Sequence, residues 1–405
     1  MPSDSRRSRP RRWLRRILTT VLIFVLSLVV AAGGYLGYVA IRHARTVTLP
    51  APKGPHRVGR VVTEWTDQTR NDPLAPRPGV RRHLSVWLWY PAARHAARPR
   101  AAYAPGTWKQ LHFGGILGLG ETSFNAVHIH ATDNAPLDSG RFPVVILQPG
   151  LGLAAPQYTT LAEDLASQGY IVAGVTPTYS ANLTVLHGQA IHATKTGNPP
   201  FEGPNLHTGK DERDGNRLVG IWATDARAVA ARIRTLDNAG RFARHVDATR
   251  TLYMGHSFGG AAALEACRTD PHCVGAADLD GTQFGPVTHT GLAKPFLILT
   301  SQSSSCLTGT CKPAGPAERA DRTTARSLLA AGTAPAWCHT LKGTEHFNFT
   351  DYSAYYIAAP LRSLLPLGET DGEQALTSTG DYLTAFANHT ARDKGAAMLD
   401  VARCA

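Results

Sequence analysis

The chain has 405 residues, of which 43% are hydrophobic and 18% charged, and its formal net charge is +12. This composition is ordinary for a globular protein, and the length is sufficient for one large domain with a substantial core. The charge does not indicate nucleic-acid binding, because seven arginines against one acid in residues 1–16 supply +6 of it. The remainder is spread along the chain without a basic run interleaved with aromatic residues, which excludes a recognisable nucleic-acid site.

An uncharged apolar segment, residues 17–41, follows this basic cytoplasmic tail. A helix of 25 residues spans a hydrocarbon core of roughly 30 Å with some tilt. Basic residues on its N-terminal side predict that residues 1–16 stay in the cytoplasm and that the rest of the chain lies outside. A cleaved signal peptide is the alternative, but its apolar region is usually about 7–15 residues long and ends in a small-residue cleavage site. We favour an uncleaved single-pass anchor; both alternatives export the protein.

Residues 42–58 contain proline and arginine and are interpreted as a linker, which leaves residues 59–405 as the folded domain. The irregular stretches 104–135 and 177–215 are expected to cover the site, and sequence leaves open whether their histidines line a pocket or pack.

The predicted strands cover 60–63, 83–89, 142–147, 171–175, 250–254, 274–279, 295–300 and 337–341, and the predicted helices 158–168, 218–236 and 260–267. Short apolar strands separated by helices predict an α/β fold with a mostly parallel central sheet and helices on both faces. Function is then expected at the carboxyl ends of the strands.

Gly255-His256-Ser257-Phe258-Gly259 fits the pattern G-x-S-x-G between a predicted strand and an alanine-rich helix. A serine at such a turn has a strained backbone, and its neighbours two residues away must be small. A helix that begins just after the serine directs main-chain N–H groups towards the site. A glycine-bounded turn without catalytic function is the alternative. We predict that Ser257 is a nucleophile.

A serine hydroxyl needs a base to take its proton and an acid to orient that base. Asp280 ends an apolar strand and precedes a glycine, and we prefer it as the acid. Asp278, on the same strand face, is the other candidate for the acid. The alternative for Asp280 is a solvated turn aspartate without catalytic function. His346 follows the last predicted strand and is preferred as the base. His339 lies within that strand, and His256 directly precedes the serine, so its side chain is expected to leave the turn in another direction.

The developing oxyanion needs two main-chain donors. Phe258 follows the nucleophile, and Leu151 lies in the glycine-rich loop after the strand that precedes the first helix of the domain. We predict that the N–H groups of Leu151 and Phe258 form the oxyanion hole. Alternatively, Gly150 and Gly152 form a tight turn that has no role in catalysis.

Six cysteines, all in the second half of an exported chain, predict disulfide bonds. Proximity favours Cys267–Cys273, Cys306–Cys311 and Cys338–Cys404 among the 15 possible pairings. A zinc site of the C-x2-C type is not found in the sequence, and no metal or cofactor is predicted.

Several stretches together resemble the platelet-activating factor acetylhydrolase-like α/β-hydrolases, particularly their bacterial members. They are DQTRNDPL, LSVWLWYPA, APLDSGRFPVVILQPGLG, LAEDLASQGYIVAGV, GHSFGG, DLDG and GTEHFNFTD, and they cover roughly residues 60–365. The resemblance implies an α/β-hydrolase fold, a triad of Ser257, Asp280 and His346, and oxyanion donors at Leu151 and Phe258. Animal members have histidine where this chain has Pro149, so their substrate preference is not transferred.

The expected activity is calcium-independent hydrolysis of carboxylic esters through a Ser-His-Asp triad and an acyl-enzyme. Short-chain esters, or lipid and phospholipid acyl esters near the membrane, are the expected substrates, and aryl esters and polyesters remain open. A peptidase or amidase on the same fold is one alternative. A non-catalytic surface module that uses the fold for binding is the other.

Overall fold

The computed structural model describes residues 9–94, 99–112, 115–203, 205–305, 307, 315–395, 397–399 and 404. Within these residues the α-helices are α1 (Arg9–His43), α2 (Thr159–Ser167), α3 (Gly209–Leu236), α4 (Phe258–Thr269), α5 (Val287–Thr290), α6 (Pro316–Ala331) and α7 (Gly372–Arg392). The strands are β1 (Val47–Thr48), β2 (Arg57–Asn71), β3 (Arg81–Ala92), β4 (Val127–His128), β5 (Thr132–Asp133), β6 (Phe142–Gln148), β7 (Ile171–Thr176), β8 (Thr184–Leu186), β9 (Gln189–Ile191), β10 (Val246–His256), β11 (Cys273–Leu279), β12 (Phe296–Ser301) and β13 (Ala336–Leu341).

Nine of these strands form a central sheet in the order β13-β12-β11-β10-β6-β7-β3-β2-β5. Neighbours from β13 to β7 pair in parallel, whereas β3 is antiparallel to both β7 and β2. The short β5 pairs in parallel with β2. The predicted α/β fold with a mostly parallel sheet is confirmed.

Apolar side chains on both faces of the sheet explain its two helical layers. Strands β6 and β7 are buried along their whole length, as expected for parallel strands covered on both sides. Leu161 of α2 and Leu383 of α7 belong to the core on one face, which includes Trp87. Val229 of α3 and Leu264 of α4 belong to the core on the opposite face.

The sequence patterns did not predict helices α6 and α7. Helix α7 contains two glycines and several threonines, so its intrinsic helix propensity is weak. Its N-terminus is capped by the Asp371 carboxylate, which accepts hydrogen bonds from the N–H groups of Glu373 and Gln374. Leu376 and Phe386 are buried in the core, so tertiary packing stabilises the helix where local propensity does not.

Helix α1 contains the apolar segment and is long and apolar enough to cross a membrane. A signal sequence near an N-terminus has the same properties. Beyond α1, the segment interpreted as a linker lies along the domain, since Val47 pairs with Val127 and Leu49 is buried.

Two of the expected disulfide bonds are present. Cys267–Cys273 joins the end of α4 to the start of β11, and Cys338–Cys404 joins β13 to the C-terminal segment. The expected Cys306–Cys311 pair lies outside the described residues.

Candidate active site

Ser257 lies in the one-residue turn between β10 and α4. Its backbone has φ 55° and ψ −125°, a conformation that residues other than glycine rarely adopt. A side chain on Gly255 would overlap the main chain of Gly259, and one on Gly259 would overlap the carbonyl of Pro149. The close approach of these backbones therefore requires both glycines, and the turn presents Ser257 at the carboxyl edge of the sheet.

The structure brings the three side chains of the predicted triad together. Ser257 Oγ lies 2.9 Å from His346 Nε2, and His346 Nδ1 lies 2.7 Å from Asp280 Oδ2. The residues follow β10, β11 and β13, so the parallel sheet delivers them to one edge from positions far apart in the chain. This arrangement can pass a proton from the hydroxyl to the imidazole while the carboxylate fixes the tautomer.

Asp280, rather than Asp278, contacts the imidazole. Burial raises the pKa of Asp280, but the hydrogen bond and charge of His346, with the Ser301 N–H bonded to Oδ1 at 2.7 Å, outweigh it and lower that pKa. Burial raises the pKa of Asp278 to about 7, and its Oδ2 accepts a hydrogen bond of 2.6 Å from Gln283 Nε2. The ionised carboxylate of Asp280 thus lies where it can stabilise an imidazolium, whereas the more easily protonated carboxyl group of Asp278 contacts Gln283.

The two predicted oxyanion donors lie on adjoining segments. Leu151 is in the turn after β6, and Phe258 is the first residue of α4, where N–H groups have no acceptor within the helix. A side chain at Gly150 would come within 3.3 Å of Ser257 Cβ, so the turn is close to the nucleophile. The turn that contains Leu151 and the start of α4 therefore both lie close to Ser257.

An aromatic cluster packs beside these donors. The Phe258 ring lies 5.1 Å from the Trp222 ring and 5.8 Å from the Phe284 ring, measured between centroids, and Phe201 lies 6.2 Å from Phe284. Leu151 packs against the same cluster. These side chains form a buried apolar cluster that supports the turn of Leu151 and the start of α4.

A buried hydrogen-bond chain that the sequence did not suggest links three segments of the site. The Gly150 N–H donates to Tyr158 Oη at 2.9 Å, and Tyr158 Oη bonds to His256 Nδ1 at 2.8 Å. His256 Nε2 bonds to the main-chain oxygen of His346 at 2.9 Å, and only a protonated nitrogen can donate to that oxygen. Nδ1 is then the acceptor from Tyr158. Burial, together with the nearby His346, holds the pKa of His256 well below its ordinary value, so the ring is neutral.

Comparison with known proteins shows which proteins this chain resembles. A family model described as platelet-activating factor acetylhydrolase, isoform II, matches residues 41–202. The platelet-activating factor acetylhydrolase of Cavia porcellus is 24% identical over 358 residues, which cover 84% of this chain and 77% of the relative. A probable 1-alkyl-2-acetylglycerophosphocholine esterase of Arthroderma benhamiae is 26% identical over 261 residues, 60% of this chain and 61% of the relative. The chain is therefore similar to platelet-activating factor acetylhydrolases.

A solved structure supports the fold of this chain. The ferulic acid esterase from Streptomyces cinnamoneus superposes with a TM-score of 0.71 at 27% identity, and the match covers 87% of this chain and 96% of the esterase. These proteins are named as ester hydrolases, and the chain is a carboxylic ester hydrolase, as predicted. The family model ends before Ser257, so the roles of the three clustered side chains rest on their geometry.

Proposed function

We propose that the chain hydrolyses carboxylic esters through a covalent acyl-enzyme, with Ser257 as nucleophile, His346 as general base and acid, and Asp280 as the group that orients the imidazole. The observation that carries this proposal is the continuous hydrogen-bond chain from Ser257 Oγ through His346 to Asp280, with distances of 2.9 and 2.7 Å. Distances in this range are those at which a base can take a proton from a nucleophile.

In the first half-reaction, Ser257 Oγ attacks the ester carbonyl while His346 Nε2 takes the hydroxyl proton. The tetrahedral intermediate collapses, the C–O bond to the alcohol breaks, and His346 returns the proton to the leaving oxygen. In the second half-reaction, water attacks the acyl-serine and loses a proton to His346, and the acid departs as Ser257 recovers its proton. Asp280 stays ionised throughout and stabilises the imidazolium, in keeping with its lowered pKa.

The N–H groups of Leu151 and Phe258 are the proposed donors to the oxyanion in both half-reactions. Each such donor stabilises the transition state by about 3 kcal/mol in comparable sites. Support comes from their positions in the turn after β6, which lies close to Ser257, and at the start of α4, directly after Ser257.

We infer that the substrates are short-chain esters or acyl esters of lipids and phospholipids. The names of the relatives described above support this class. Peptides and other amides are the alternative substrates on the same machinery. A non-catalytic binding role would leave the hydrogen-bonded Ser257 without a function.

We further propose that the protein is a single-pass membrane protein with residues 1–16 in the cytoplasm, residues 17–41 in the bilayer and the domain of residues 59–405 outside. The apolar helix α1 supports an anchor, and the disulfide bonds support an oxidising compartment.

Replacement of Ser257 tests the mechanism. We expect Ser257→Ala to lower kcat/KM for p-nitrophenyl acetate by at least about 10³-fold and to abolish labelling by a fluorophosphonate probe. Ser139→Ala removes an exposed hydroxyl elsewhere in the domain and serves as the matched control. Wild-type turnover by Ser257→Ala would refute the assignment. Faster cleavage of a matched anilide than of the ester by the wild-type chain would favour the amidase alternative.

A further inference from the structure

Three side chains from separate strands and turns meet at a place that the proposed ester hydrolysis does not use. Glu64 lies in β2, His83 in β3 and His187 at the tip of the β8–β9 hairpin. One ligating atom of each lies within 4.8 Å of the others. Because the three residues are far apart in the chain, sequence spacing does not predict this cluster.

The register of the sheet explains why Glu64 and His83 are neighbours. Glu64 pairs with Ser85 and Thr66 pairs with His83, so Glu64 and His83 are diagonal neighbours on one face of the antiparallel pair. Diagonal neighbours of this kind are within reach of long side chains.

The hairpin brings His187 to the same place. His187 and Gly188 have φ values of 52° and 74°, as in the two-residue turns that join twisted antiparallel strands. The His187 N–H donates to Glu64 Oε1 at 2.8 Å, which fixes the turn against the carboxylate. The other carboxylate oxygen, Oε2, remains directed at the two imidazoles.

The separations of these atoms approach those of a metal coordination sphere. Glu64 Oε2 lies 3.2 Å from His187 Nδ1 and 3.8 Å from His83 Nε2. A metal bound at about 2.0–2.2 Å to nitrogen and oxygen ligands holds those ligands about 3–3.5 Å apart. The edge between Glu64 and His187 already fits, and the edge between Glu64 and His83 exceeds the range by about 0.3 Å. The edge between the two imidazoles is at most 4.8 Å, and the His187 side chain, 76% exposed, is free to shorten it by about 1 Å.

We propose that Glu64, His83 and His187 bind a Zn²⁺ ion, with water completing its coordination. Two imidazoles and one carboxylate form a ligand set that suits zinc and cobalt, whereas calcium and magnesium prefer oxygen ligands alone. The Glu64 carboxylate supplies negative charge, and its hydrogen bond from the His187 main chain orients it as ligands in metal sites are commonly oriented.

Metal bound here would fasten the hairpin to the sheet and not take part in ester hydrolysis. The segment that carries the hairpin also contacts the loop of the oxyanion donor, because the Asn182 N–H donates to the Gly152 carbonyl at 2.9 Å. Thr107 Oγ1 holds the hairpin from the other side through the Gly188 carbonyl at 2.7 Å. Because none of the three ligands contacts Ser257, His346 or Asp280, we expect Zn²⁺ to raise stability while Ser257 keeps its reactivity.

Metal binding by the untagged full-length chain in detergent, after removal of metals with a chelator, tests this site. We expect one equivalent of Co²⁺ to produce visible d–d absorption that Zn²⁺ displaces. We also expect Zn²⁺ at about 100 times its Kd to raise Tm by a few degrees. Absence of Co²⁺ or Zn²⁺ binding by the wild-type chain would overturn the proposal.

Two ligand variants and one matched control locate the bound metal. His187→Ala removes an exposed ligand, and Glu64→Gln keeps an acceptor for the His187 N–H while removing the charge; each should weaken Zn²⁺ binding at least about 10-fold. His192→Ala removes an exposed imidazole from the same segment outside the cluster and should leave binding unchanged. Equal binding by all four chains would overturn the proposal. Fluorophosphonate labelling of Ser257, measured in parallel, reports separately on the proposed hydrolase.

Discussion

Two residues that contact His346 have a backbone conformation unusual for their side chains. Ser257 has φ 55° and Asp280 has φ 57°. Such a conformation costs about 1–3 kcal/mol and persists only where the surroundings enforce it. The Ser257 N–H is held by the Leu279 carbonyl at 2.7 Å, and the Asp280 N–H by the Leu299 carbonyl at 2.8 Å. Each residue is thus fixed by the strand beside its own, which aligns both side chains with one imidazole.

His256 is predicted to position His346 without taking part in the chemistry. His256→Phe keeps a ring but removes the hydrogen bonds to Tyr158 and to the His346 carbonyl. Small displacements of a base can cost up to about 10²-fold in rate, so we expect kcat to fall about 10- to 100-fold while KM changes much less. Steady-state kinetics on p-nitrophenyl acetate measure kcat and KM separately.

His339→Phe, in strand β13 outside the hydrogen-bond chain, is the matched control for His256→Phe. Its kcat should remain close to that of the wild-type chain. A folded His256→Phe variant with unchanged kcat, or one in which only KM rises, would contradict the positioning role.

At the scale of elements, a residue distant in sequence caps the helix that follows the proposed oxyanion loop. The Asp351 carboxylate accepts hydrogen bonds from the first N–H groups of α2, 2.9 Å from Thr159 and 3.2 Å from Thr160. The Tyr103 hydroxyl donates to the same carboxylate at 3.2 Å. Burial raises the pKa of Asp351 to about 7 despite these hydrogen bonds.

The raised pKa of Asp351 predicts how stability depends on pH. Between the unfolded pKa of about 3.8 and the folded pKa of about 7, the folded chain holds a proton that the unfolded chain has released. The protonated Asp351 carboxyl group therefore contributes to the free energy of unfolding at low pH, and this contribution is lost as pH rises through that window. Asp351→Asn keeps an acceptor for α2 but does not titrate, so its Tm should depend less steeply on pH between 4 and 7. Thermal unfolding across this range measures the difference.

Asp237→Asn provides a control of opposite sign. Burial raises the pKa of Asp237, but the Val246 N–H and Arg141 outweigh burial and lower it. The ionised Asp237 carboxylate contributes to stability above its unfolded pKa, and this contribution is lost as pH falls. Asp237→Asn should therefore not make the dependence of Tm on pH less steep between pH 4 and 7. Parallel curves for the wild-type chain and Asp351→Asn would contradict the assignment.

At the scale of the whole molecule, helix α1 continues directly to the domain. The Ser123 N–H donates to the His43 carbonyl at 2.8 Å, and the Arg42 guanidinium lies 4.5 Å from the centroid of the Tyr356 ring. The end of the apolar helix is therefore attached to the domain by a hydrogen bond and a cation–π contact.

An uncleaved anchor predicts a membrane-bound protein of full length. We expect the chain to remain with the membrane pellet after alkaline extraction, and mass spectrometry to find the residues of the 17–41 segment in that fraction. A shortened chain released into the medium would instead show a cleaved signal peptide.

The sequence alone determined the features that depend on near neighbours and on chain order. Strand periodicity predicted the parallel sheet, and the glycines around Ser257 predicted a strained turn because they lie two residues from it. Strand ends in a parallel sheet share one edge, so Asp280 and His346 were predicted to lie near Ser257 from the elements that they follow.

Only the tertiary structure decided which distant atoms meet. In the structure Asp280 is hydrogen-bonded to His346 and Asp278 to Gln283, although both aspartates share one strand face. It also joins His256 to the His346 main chain, and it assembles the cluster of Glu64, His83 and His187. These contacts depend on strand register and on the path of loops, which packing of the whole core determines and local spacing does not encode.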